Sequence, residues 1–131
     1  MTFAKAIGSG VGTQLKGLKV TTSGSTSFNG PSNKYDGPVE IASGEANIVG
    51  TFETTSETAG TVTINNSGNL NINEAADMTL TGVFLQSGAG TVYTAGEITT
   101  TNDNIEFYGD VMLTGAVTLD TGSAAGYIKF N

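Results

Sequence analysis

At 131 residues the chain is long enough for one domain with a self-sufficient core, and it contains no cysteine, histidine or tryptophan. That excludes disulfides, thiolate chemistry and imidazole bases or ligands, and because the cations are Lys5, Lys16, Lys19, Lys34 and Lys129 there is no guanidinium to clamp a phosphate. Twelve acids against those five lysines give a formal charge of −7, which argues against nucleic-acid partners and anionic lipid surfaces, and no apolar run of about 18 residues is present to insert in a membrane.

In chain order, Met1 and Phe3 form a first apolar pair, followed by a glycine-rich stretch with only Ile7, Val11 and Leu15 as apolar anchors. Gly8-Ser-Gly10-Val-Gly12 lacks the Lys-Ser or Lys-Thr of a phosphate loop, so residues 1–17 read as an irregular first coil containing a flexible turn. Met1 to Lys16 also lacks the basic start and apolar centre of a secretory signal, which leaves a processed chain or a piece of something longer as the expectation. From Leu18 onward the chain reads as short apolar-polar-apolar units, the period-two signature of a strand with one buried face. Residues 29–38, with Pro31 and Pro38, read as a loop leaving this pattern because proline cannot donate to a ladder. Between the units lie Ser43-Gly44, Ser67-Gly68-Asn69, Ser87-Gly88, Asn102-Asp103-Asn104 and Gly109-Asp110, all good turn formers.

The units recur with a longer period. Leu18, Val39, Val62, Val83, Ile105 and Ile128 are separated by 21, 23, 21, 22 and 23 residues. A second column runs through Thr26/Phe28, Ile48, Leu70/Ile72, Val92/Thr94 and Val111/Leu113, and a third through Phe52, Met78/Leu80, Ile98/Thr100 and Val117/Leu119. Three columns predict an all-β fold: a single parallel β-solenoid over residues 1–131, a right-handed β-helix with about 22 residues and three short strands per coil, in five to six coils. At one inter-strand spacing per coil the rod is roughly 25 to 30 Å long.

The run from Asn104 to Gly122, Asn-Ile-Glu-Phe-Tyr-Gly-Asp-Val-Met-Leu-Thr-Gly-Ala-Val-Thr-Leu-Asp-Thr-Gly, resembles the repeat of filamentous-haemagglutinin-like and autotransporter-like exoproteins, and Leu18-Lys-Val-Thr-Thr-Ser-Gly24 resembles the same kind of line. The resemblance extends over most of Leu18 to Phe130. It implies a secreted or surface-exposed bacterial module with a structural or adhesive role, and supplies no catalytic or cofactor-binding residues. Those exoproteins are usually much longer and carry a dedicated secretion segment, neither of which is visible in this sequence.

The remaining candidates concern surfaces. The oxygens of Asn102, Asp103, Asn104 and Asp110 have the chemistry of a Ca²⁺ site but sit where Asx turns are expected, so no metal, cofactor or enzyme activity is predicted. Glu40 and Glu106 are expected on solvated strand faces. Phe84, Tyr93 and Met112 occupy the outward place of their units, and Tyr93 and Met112 should adjoin on successive coils, a candidate lateral contact for a glycan or a cell surface. The half-lines ending the sequence, with Met1, Phe3, Tyr127, Ile128 and Phe130, are expected to stack end to end into a homopolymeric fibre or on the rest of a longer exoprotein stalk, and the protein is expected outside the cell or on the bacterial surface.

Overall fold

Apolar pairs recurring at near-constant spacing can be buried only by stacking, and the chain folds accordingly. In a computed structural model describing residues 1–8, 14–56 and 59–131, it winds through about six coils whose strands form three parallel sheets, with no helix among the described residues. The first coil holds β1 (Thr2–Phe3) and β2 (Leu18–Thr21), and the second β3 (Ser25–Phe28), β4 (Ser32–Tyr35) and β5 (Val39–Ser43). The third holds β6 (Glu45–Ile48), β7 (Thr51–Thr54) and β8 (Val62–Asn66), and the fourth β9 (Leu70–Ile72), β10 (Met78–Leu80) and β11 (Phe84–Gln86). The fifth holds β12 (Val92–Thr94), β13 (Ile98–Thr100) and β14 (Ile105–Phe107), and the sixth β15 (Val111–Leu113), β16 (Leu119–Asp120) and β17 (Ile128–Phe130).

Each sheet takes one strand from every coil. The first sheet runs β1-β3-β6-β9-β12-β15, the second β4-β7-β10-β13-β16 and the third β2-β5-β8-β11-β14-β17, every pairing parallel. Inward side chains lie over their equivalents one coil away, as Val39 over Val62 and Phe28 over Ile48. Aromatic rings continue the ladders: Phe84 and Phe107 have centroids 5.4 Å apart, Phe107 and Phe130 also 5.4 Å, and Phe3 stacks on Phe28 at 4.9 Å.

The corner between the third and first sheets is kept narrow by a column of glycines. A Cβ at Gly68, Gly90 or Gly109 would run into the backbone carbonyl of Gly44, Gly68 or Gly90 respectively, so the coils could not approach to ladder spacing there with any other residue.

Three expectations are corrected. Residues 29–38 do not leave the stack, because Ser32–Tyr35 is a strand of the second sheet with Asn33 and Tyr35 buried. Pro31 and Pro38 occupy corners where only their carbonyls are needed, accepting from Thr51 N at 3.3 Å and Leu18 N at 2.9 Å. In the third sheet the fourth coil is shifted by one residue: Phe84, not Val83, lies between Val62 and Ile105, so Phe84 and Gln86 point inward. In the sixth coil Leu119 alone continues the second-sheet column, opposite Ile98, and Val117 lies outside the strand. In the first coil Thr2 and Phe3 pair with Ser27 and Phe28, and among the described residues the second sheet receives the isolated bridges Ile7 to Asn33 and Leu15 to Tyr35. Val11 falls outside the described residues.

Tyr35 gives this interior a measurable signature. Its ring packs on Phe52 at 5.0 Å, and its hydroxyl is buried with no partner among the described residues. Burial pushes the phenol above its ordinary value of 10. The raised folded-state value means that Tyr35's contribution is fully present below pH 10 and is lost as pH climbs from there through the raised value. Tyr35→Phe is expected to stabilise the fold by about 1 kcal/mol and to flatten the alkaline fall in stability above about pH 10, read by denaturant unfolding at several pH values. An unchanged alkaline slope would refute this reading.

Candidate contact surfaces

The sixth coil presents two kinds of surface, one at the end of the stack and one on its side. Strands β15, β16 and β17 end their sheets, so each is paired on one edge only among the described residues. Val111, Leu113, Leu119, Ile128 and Phe130 continue the inward columns, yet nothing described covers them. Leu113 is 67% exposed, Phe130 58% and Ile128 42%, whereas Phe107 and Ile105 one coil earlier are fully buried. A depression beside Val111, Leu113 and Phe130 is rimmed by Gly109, Asp110 and Asn131. The face therefore combines apolar core side chains with free strand edges.

The opposite end is less open. Phe3, Ile7 and Leu18 are half-buried and Val20 is buried, while Met1 and Leu15 are exposed. Of the residues proposed from sequence for stacking, Ile128 and Phe130 are exposed in the sixth coil. Met1 and Phe3 belong to the first coil, with only Met1 extensively exposed. Tyr127 lies on the side of the stack instead: its hydroxyl donates to Glu106 Oε1 at 2.9 Å, and that bond is the main reason its phenol is raised above the ordinary value. Leu113, the most exposed of the large apolar side chains among the described residues, was not singled out from sequence, although its place in the second column is the signal that marks it.

On the side of the stack, Tyr93 and Met112 are register partners on the outer face of the first sheet, as their spacing predicts. Met112 is 54% exposed and Tyr93 half-buried. Phe84 does not join them. It is fully buried in the third sheet, so it is removed from the lateral contact. Below Tyr93 the same outer column continues as an amide ladder: Asn71 Nδ2 donates to Asn47 Oδ1 at 2.7 Å and to Glu45 Oε1 at 3.1 Å.

Glu40, Glu106 and the turn amides of Asn102 and Asn104 are engaged in bonds within the stack. Glu40 pairs with Lys19 at 2.6 Å, and Glu106 accepts from Tyr127 and Asn104. Glu40 and Glu106 share a column three coils apart, roughly 14 Å at the strand spacing, beyond the separation used by paired glycosidase carboxylates. Asn102 Oδ1 accepts from Ala124 N at 2.9 Å and Asn104 Oδ1 from Tyr127 N at 3.3 Å, so these turn side chains tie the fifth coil to the sixth. Among the described residues no group of three or more acids is placed to hold a metal ion.

Comparisons with family models, curated proteins and solved structures return no match. The solenoid fold is thus the extent of what is shown, and function rests on the surfaces themselves.

Proposed function

We propose that this protein is a non-catalytic structural module of the bacterial cell surface or extracellular matrix, in which the sixth coil is covered by a further coil of the same geometry to build a rod. The observation that carries the reading is the exposure of Leu113, Ile128 and Phe130 in columns that are otherwise buried along the stack. Apolar area of this kind, bordered by free strand edges, is stabilised by whatever continues the ladder. Electron microscopy and sedimentation of the 131-residue chain are expected to show elongated assemblies, and Leu113→Asp with Phe130→Asp to disperse them while the circular dichroism stays that of a folded β-protein. A wild-type chain that remains a short monomer at high concentration would refute the stacking role.

A second reading is an adhesive module, favoured by the adjacency of Tyr93 and Met112 on an outer face. An aromatic ring beside an exposed thioether suits the apolar face of a sugar or a host-surface protein. A glycan array probed with the wild type and with Tyr93→Ser/Met112→Ser tests it; retained signal in the double variant would remove this pair from any binding role.

A further inference from the structure

Charge is distributed unevenly along the stack. Residues 1–35 hold four of the five lysines and no acid, whereas residues 36–131 hold all twelve acids and Lys129. One end of the rod is therefore cationic and the rest anionic, with Glu97, Asp103, Glu106, Asp110 and Asp120 crowded into the last two coils. We infer that the occupant of the sixth-coil face is the first coil of a second copy of this chain, docked head to tail in the register of the internal ladders. The inference rests on the stacking role proposed above and adds the partner, its polarity and its register.

Two observations select this arrangement. Every strand pairing among the described residues is parallel, and of the two ways to join copies at this face head-to-tail docking offers β15 and β17 a partner running in their own direction, whereas two sixth-coil faces meeting would reverse it. Carrying the columns across the junction also sets Leu113 over Phe3, Ile128 over Leu18, Phe130 over Val20 and Leu119 over Ile7, apolar on apolar at each place. Charge makes the same choice. Two anionic faces repel, and so do two cationic ones, while the mixed junction attracts over the Debye length of about 10 Å at 0.1 M salt.

The register also predicts a flaw. Within the stack each ion pair joins a lysine to an acid one coil further on: Lys16 to Asp36, Lys19 to Glu40 and Lys34 to Glu53. Across the junction the same column sets Lys129 against Lys19 of the next copy, like against like.

The test uses the 131-residue chain with one face blocked at a time. Phe130→Asp blocks the sixth-coil face and Leu15→Asp, at a residue 43% exposed, the first-coil face. Each variant alone is expected to stay monomeric and an equimolar mixture to form a discrete heterodimer, because each supplies the face the other lacks. Raising the salt concentration is expected to weaken wild-type assembly, and Lys129→Glu to tighten it about fivefold at low salt. Should Phe130→Asp unfold, Leu113→Asp replaces it. If Leu15→Asp still pairs with itself, or the mixture stays separate while the wild type assembles, head-to-tail docking is overturned and the stacking role survives. A wild type that never associates overturns both.

Discussion

Gln86→Leu is expected to cost about 4 kcal/mol of unfolding free energy, a large share of what a domain of this size has to lose. Gln86 is fully buried and lies in the column between Ile64 and Phe107, where a hydrocarbon would ordinarily sit. Its amide is saturated: Nε2 donates to Asn66 Oδ1 at 2.8 Å and Gly88 O at 2.7 Å, and Oε1 accepts from Gly109 N at 2.9 Å and Tyr108 N at 3.0 Å. Asn66, also buried, passes the connection down by donating to Gly68 O at 2.6 Å. The leucine keeps the volume and removes the partners, so the loss arises from buried groups left without hydrogen bonds. Replacing both amides, Asn66→Leu with Gln86→Leu, is expected to cost less than the sum of the single changes, since the orphaned Asn66 oxygen disappears. Denaturant unfolding of the four proteins decides the matter. A neutral Gln86→Leu would mean that the corner is held by its glycine column alone.

The second large effect is expected at Phe84. Truncation to alanine removes a fully buried ring stacked between Val62 and Ile105 and in contact with Phe107, and should cost 3 to 5 kcal/mol, within about the range measured for such deletions. Met112→Ser, on the outer face, should stay within about 0.5 kcal/mol of the wild type. Leu85→Ala, which faces outward half-buried, should lie between them. If Leu85 proved the costly position and Phe84 the tolerant one, β11 would be turned over, with Val83 and Leu85 inside.

That strand shows why the register was harder to read than the architecture. The period near 22 and the three columns were legible because Val, Ile, Leu and Phe recur wherever the stack needs cover. Val83-Phe84-Leu85-Gln86 offers an apolar residue on both faces, and polarity favours the phase that keeps the glutamine out. The structure takes the other phase, and the satisfied amide of Gln86 is what makes it tolerable. Ser32–Tyr35 was missed for a related reason: its inward residues are Asn33 and Tyr35, and the flanking prolines suggest a break unless the neighbouring coil needs only their carbonyls. On the surface, spacing alone placed Tyr93 beside Met112. It could not show that Tyr127 turns aside to Glu106, because that depends on a hydrogen bond between coils.

Because each described strand pairs with its equivalents in the adjoining coils, tension applied between Met1 and Asn131 would peel the molecule from an end and load one turn's ladder at a time. Each released turn of about 21 residues would lengthen the chain by roughly 70 Å, in a series of small regular steps in place of one abrupt rupture. A protein wound in this way yields gradually under pull, and rewinds upon whichever turns are still in place.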